Sequence, residues 1–245
     1  MSALTADTWE RARAEAEGEW GTPARIAAIA FAVPLVGAIL LGASRLSLPV
    51  FQFFTREDGV LEWLQFAAYV TAAVVALIVA WTLLRSGRRS FAAVYLAVAL
   101  GAFVVAGEEI SWGQRVFGVE TPESLEELNR QGEIGVHNIF GVETIFNLGL
   151  LAAGLYGSLC AWLIRTRAAG ESPAITLLVP PLFLTSCFLL VFLHRLVRFT
   201  VPDVTDVTAF VKFGEWPELC FAAGLAAFCV LNLRGLRRQS AARRT

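Results

Sequence analysis

The sequence predicts an all-α membrane protein, a polytopic bundle of about six transmembrane helices with one short helix on its outer surface. Three observations carry this. Of the 245 residues, 56% are apolar and only 17% are charged. The charges gather in clusters, so several uncharged runs reach the roughly 17 to 25 residues that a helix needs to cross a hydrocarbon core about 30 Å thick. The basic residues also collect in alternate loops, the pattern that sets the orientation of membrane helices.

In chain order, residues 1–25 form a polar leader in which Glu10, Glu15, Glu17 and Glu19 stand beside Arg11 and Arg13. The leader lacks the short basic start and small-residue cleavage site of a secretory signal, so the apolar run after it is expected to remain as a span. Trp9 and Trp20 suit a surface-lying amphipathic helix, and a solvated tail fits equally. Spans are expected at 26–44, 61–84, 91–110, 139–164, 173–199 and 213–233, within a transmembrane domain of residues 26–233. Pro34 and Pro180–Pro181 fall inside spans and predict kinks, which a bundle tolerates when neighbours satisfy the freed carbonyls. Residues 234–245 read as a basic tail.

Most of the 20 basic residues fall on one side if both termini lie in the cytoplasm of a cell whose inner membrane holds the chain. The segment 111–138 then lies outside. Thr121, Pro122 and Glu123 form an N-cap, a first-turn proline and a dipole-matched carboxylate, with Leu125 and Leu128 on one face, and this predicts the surface helix. A net charge of −1 gives no reason to expect nucleic acid as a partner. Cys160, Cys187, Cys220 and Cys229 all lie in apolar runs without CxxC spacing, so they read as small buried hydrophobes.

The acidic residues carry the functional signal. Glu62, Glu108, Glu109, Glu143, Glu215 and Glu218 sit at outer span ends, and His137 and His194 fall at the same level. The helix dipole accounts for Glu62, Glu143, Glu215 and Glu218 in first turns, but it disfavours Glu108 and Glu109 at a carboxyl end. Helical spacing continues three of these carboxylates into stripes of mostly small residues: Glu62, Gln65, Tyr69, Ala72, Ala76 and Ala80; Glu143, Asn147, Leu150, Gly154 and Gly157; Glu108, Val104, Gly101, Ala97 and Ala93. Such stripes mark close helix contacts in membranes, so Glu62, Glu108 and Glu143 are expected to face the bundle.

Glu108, Glu109, His137 and His194 are therefore the candidate catalytic residues, because paired carboxylates and imidazoles can divide into an acid and a base. Arg115, Arg195 and Arg198 are the candidates for holding a lipid phosphate or carboxylate. Glu62, Glu108, Glu143, His137 and His194 form a candidate ligand set for a divalent zinc or iron ion. The spacing offers neither HExxH nor the paired Glu-x-x-His of di-iron bundles. The Glu108–Glu109 pair followed by two histidines resembles the glutamate intramembrane proteases that process prenylated proteins. In that family an Arg follows the pair after three residues, and the histidines lie in Phe-x-x-x-His and His-x-x-x-Asn or Asp. Here Gly113 holds the Arg position, Glu133 and Leu190 precede the histidines, and Gly141 and Arg198 follow them, so the resemblance is confined to the pair and the order.

Three functions follow as alternatives. The first is a membrane-embedded, metal-dependent hydrolase acting on a lipid or lipid-linked substrate. The second is a proton- or ion-coupled carrier, which calls for titratable groups near the midplane and internal repeats. The third is a non-catalytic membrane subunit whose outer segment binds a partner and whose polar network is structural.

Overall fold

Six helical stretches are long and apolar enough to cross a membrane: Ala24–Ser44, Leu48–Arg85, Arg89–Glu109, Val142–Arg167, Pro173–Thr200 and Thr208–Ala242. They belong to a computed structural model that describes residues 3–56, 59–121, 134–135, 141–167 and 172–242, without the side chains of residues 3–7, 115 and 116. The described residues form helix and no strand, which is the expected all-α bundle. Six crossings bring both termini to one end, here the terminal end; the opposite one is the loop end.

The helices are α1 (Ala3–Gly18), α2 (Ala24–Ser44), α3 (Leu48–Thr55), α4 (Val60–Arg85), α5 (Arg89–Glu109), α6 (Gln114–Phe117), α7 (Val142–Leu155), α8 (Ala161–Arg167), α9 (Pro173–Leu178), α10 (Thr185–Thr200), α11 (Thr208–Phe213) and α12 (Glu215–Ala242). A π-helical segment, Tyr156–Cys160, joins α7 to α8. The short α3 between the first two spans was not legible as an element, and the supposed tail continues as helix to Ala242. The expected surface helix around Leu125 lies outside the described residues.

Small residues decide the packing. On α4, Ala72, Ala76 and Ala80 are fully buried, whereas Leu77 is 55% exposed and faces outward, as an apolar side chain can in lipid. A Cβ on Gly154 would come within 2.8 Å of the Phe192 amide nitrogen, and one on Gly157 within 2.4 Å of the Phe188 ring, so α7 and its π segment lie directly against α10. The stripes expected on α4 and α7 are thus the buried ones. On α5 the buried residues are Ala92, Tyr95, Ala99, Ala102, Ala106 and Glu108, so Glu108 is buried as expected, while Ala93, Ala97, Gly101 and Val104 of its stripe are exposed. The rotation has a physical cause: Tyr95 is buried and its hydroxyl donates to the Leu177 carbonyl at 2.8 Å, which turns that face inward.

The fifth span is broken rather than kinked. Between α9 and α10, Val179–Pro181 leave the helix because two prolines remove two amide donors. Arg165 takes up the freed carbonyls, donating to Val179 at 2.6 Å and to Pro180 at 3.2 Å. The same guanidinium pairs with Glu15 at 2.8 Å and Glu19 at 2.7 Å and stacks over Trp20. Glu15 also accepts from the Leu182 amide at 2.9 Å. The leader is therefore a helix latched onto the break rather than a solvated tail.

Candidate functional site

Four spans deliver polar side chains to one place at the loop end. Glu62 and Gln65 open α4, Glu109 closes α5, Glu215 and Glu218 open α12, and His194 and Arg195 lie on α10. The Gln65 amide nitrogen donates to the Glu215 carboxylate at 2.9 Å and to its backbone carbonyl at 3.0 Å. Arg195 pairs with Glu218. The charges of Glu218, Glu215, Glu62 and Arg195 all act on Glu109. Tyr69, two turns from Glu62, lies fully buried within the field of Glu109, Glu218 and Arg195. Four carboxyls thus act on one another here, and one of them, Glu218, pairs with Arg195. Two buried atoms, the Gln65 Oε1 acceptor and the Arg195 Nε donor, have no hydrogen-bond partner among the described residues.

His194 serves Arg195. Its Nδ1 lies 3.1 Å from Arg195 Nη1, which can only donate, so Nδ1 accepts. Its Nε2 lies 3.1 Å from the Phe210 carbonyl, which can only accept, so Nε2 carries the proton. The ring stacks on Phe210 at 4.3 Å, and a Cβ on Gly214 would come within 2.9 Å of it. Both nitrogens are engaged, and neither offers a lone pair to a metal.

The chain leaves α5 through a strained turn. Ser111 (φ 46°), Trp112 (φ 53°) and Gly113 (φ 79°) are left-handed in succession. Each non-glycine residue there costs about 1–2 kcal/mol, and such strain concentrates at functional sites. The turn folds Trp112 back over Gly107, where a Cβ would meet the ring at 2.8 Å, and Trp112 Nε1 donates to Glu108 at 2.6 Å. Beyond it, Gln114 donates to Thr121 Oγ1 at 2.5 Å and accepts from the Ile134 amide at 2.7 Å, tying together the described parts of the segment.

Of the residues singled out in the sequence, Glu62, Glu109, His194 and Arg195 come together. Glu108 is buried and accepts from Trp112, Glu143 pairs with Arg198 between α7 and α10, and Glu62 acts on Glu109 and Glu215. His137 and the side chain of Arg115 lie outside the described residues. Among the described residues no three His, Cys, Asp or Glu side chains group as a metal site requires. Sequence reasoning passed over Glu215 and Glu218 because a first-turn carboxylate has a sufficient cause in the dipole. It also read Gln65 and Tyr69 only as packing. The usable signal was the three-and-four spacing that sets Glu62, Gln65 and Tyr69 on one face.

Below this cluster an apolar cavity, open on one side, lies between the spans. Its volume is about 470 Å³, it is lined by Tyr69, Val98, Val105, Tyr156, Phe188 and Phe228 among others, and it occupies the space between α5, which packs along α4, and α7, which packs along α10. Its lining on α5 runs from Val94 to Val105. At about 1.5 Å per residue this is roughly 16 Å, close to half of a hydrocarbon core about 30 Å thick. Compared with protein-family models, with curated proteins and with solved structures, the chain matches none of them.

Proposed function

We propose that the protein is a membrane-embedded hydrolase acting on a lipid or lipid-linked substrate, with the apolar chain in the cavity and the reacting bond at the Glu62–Glu109–Glu215–Glu218 cluster. The observation that carries this reading is the stacking of the two. An apolar cavity about one leaflet long ends at Tyr69, and the carboxylates begin there.

The residues present suit general acid–base hydrolysis. Glu109 takes the proton of the attacking water, whose other hydrogen is accepted by Gln65 Oε1. The Arg195 Nε–H donates to the oxyanion that develops at the attacked atom, held on line by His194 and Glu218. A second carboxylate of the cluster returns a proton to the leaving oxygen, which carboxylates that repel one another are suited to do. The distribution of arginines supports a reading in which this site faces the non-cytoplasmic side of the cell membrane and both termini lie inside. A cysteine introduced at Thr208 should then react with an impermeant reagent from outside, and one at Ser86 should not.

The purified protein in nanodiscs is incubated with a panel of ester and phosphoester lipids, and the products are read by mass spectrometry. Release from one lipid class, lost in Glu109→Gln and reduced when Val105→Trp fills the cavity, is the expected result. Proton uptake without lipid turnover would replace this reading with the coupled carrier. Neither turnover nor uptake would leave the non-catalytic subunit.

A further inference from the structure

The cavity beneath the carboxylates has an open side and a built end. We infer that it gauges the length of one lipid alkyl chain: the chain enters sideways from the bilayer, and Tyr95 and Tyr156 set the longest one accepted. That the chain belongs to the substrate rests on the hydrolase reading; the gauge itself does not.

The open side identifies the occupant. Among the described residues that line the cavity, only Val94, Gly101 and Tyr156 are exposed, and they belong to α5 and to the π segment. A Cβ on Gly101 would meet nothing within 4 Å, so the wall has a gap there. Gly101 and Tyr156 lie near the middle of the spans Arg89–Glu109 and Val142–Arg167, and at that depth a membrane offers only hydrocarbon tails. The occupant is therefore an alkyl chain and not a polar solute.

The broken fifth span builds the end. Pro181 has no amide hydrogen for the Leu177 carbonyl, and the Leu182 amide that would serve Leu178 donates to Glu15 instead. Two tyrosines take these consecutive carbonyls, Tyr95 donating to Leu177 at 2.8 Å and Tyr156 to Leu178 at 3.1 Å. Both rings are thereby pinned at the terminal end of the cavity. Behind them, Tyr95, Leu177 and Cys229 belong to a packed cluster with Val79, Ala80 and Leu83, whose exposure is zero, so a chain goes no further. Tyr156 begins the π segment, and π turns inside helices recur at functional sites. From Glu109 down α5 to Tyr95 is roughly 21 Å at about 1.5 Å per residue. An extended palmitoyl chain fills that length when its head lies at the carboxylates, and an arachidoyl chain exceeds it.

The test uses the full-length protein, delipidated in detergent and titrated with palmitoylglycerol or arachidoylglycerol, each carrying one chain on the same uncharged head. Binding is read by native mass spectrometry. A chain that leaves a micelle for the cavity exchanges one apolar surrounding for another, so fit rather than total apolar area decides the order. Palmitoylglycerol should bind at least about fivefold more tightly, the penalty of forcing extra methylenes against a packed end. Tyr156→Ala and Tyr95→Ala should abolish the difference, and Leu100→Ala, which faces outward from the same helix as Tyr95, should keep it. Val105→Trp, which fills the cavity, should weaken both lipids. Melting curves show which variants are folded, and Tyr156, the more exposed tyrosine, carries the test if Tyr95→Ala is not. Equal binding of the two lipids to the wild type, a difference kept in folded Tyr156→Ala, or binding untouched by Val105→Trp overturns the inference. Glu109→Gln separates the two ideas: it should keep the difference, so unaltered turnover in that variant would sink the hydrolase reading and leave the gauge standing.

Discussion

The two ends of the bundle each bury arginine among glutamates, and they differ in balance. At the terminal end one guanidinium, Arg165, meets two carboxylates and the carbonyls of a broken helix, and its donors are taken up. At the loop end Arg195 pairs with one carboxylate, Glu218, of a cluster of four, and its own Nε and the Gln65 Oε1 have no hydrogen-bond partner among the described residues. A network that exists to hold helices together tends to be complete, because an unpaired buried polar group costs about 1–3 kcal/mol. The incomplete network is the better candidate for chemistry. Burial alone would not have told them apart.

The sharpest way to break this contrast is to remove the central cation of the complete network. Arg165→Gln leaves Glu15 and Glu19 without their cation and the fifth-span carbonyls without donors, and loss of one partner of a buried ion pair costs about 3–5 kcal/mol. The thermal midpoint in detergent should fall further than in Gly154→Leu, Ala76→Leu or Glu109→Gln. A loss of only a few tenths of a kcal/mol would mean that water already serves these groups, and the terminal end would no longer be the structural standard.

Packing between the ends sets the next scale. Gly154→Leu drives a side chain into the α10 backbone, and Ala76→Leu does so where exposure is zero, so each should cost about 1–3 kcal/mol. Leu77→Ala faces lipid and should stay within about 0.5 kcal/mol. Equal melting of the three variants would contradict the assignment of the buried face on α4.

The stripes on α4 and α7 were legible because small residues recur at three-and-four spacing and nothing bulky competes. On α5 the same rule selected the wrong neighbour: Ala92 and Ala93, or Ala106 and Gly107, are equally small, and only Tyr95, through its bond to a carbonyl freed by Pro180–Pro181, chooses between the faces. That contact is 82 residues away in sequence. The same rotation aligns Glu109 with Ala102 and Ala106, where the charges of Glu62, Glu215 and Glu218 act on it. The left-handed run at Ser111–Gly113 had only Gly113 as a local sign, since Ser111 and Trp112 do not favour positive φ. The break at Pro180–Pro181 was visible, but its completion by Arg165 and the leader joins segments about 150 residues apart in the chain, beyond the reach of periodicity.

At the loop end the expected effect on stability is small and of opposite sign. Glu109→Gln replaces one of four neighbouring carboxyls by a neutral group of the same shape, so the thermal midpoint should stay or rise. If Glu109 is the general base, turnover should fall by at least about 100-fold. A fall in stability with turnover retained would make this end a second structural network and erase the contrast.

The finest test returns to the terminal end and asks whether its completeness depends on pH. Burial pushes the carboxyl of Glu15 above its ordinary value, and the Arg165 guanidinium beside it offsets part of that effect. For an acid whose folded value is raised, the stabilisation is fully present below the unfolded value near 4.5 and is lost as pH rises through the folded value. Glu15→Gln keeps an oxygen to accept from the Leu182 amide, and Glu19 still faces Arg165, so the variant should fold with little change at low pH. Melting the two proteins between about pH 4 and pH 8 should show the wild type losing stability relative to Glu15→Gln as pH rises. If the wild type instead gains on the variant over that range, the attraction of Arg165 outweighs burial, and the latch is held by its ion pairs rather than by its hydrogen bonds and its packing against Trp20.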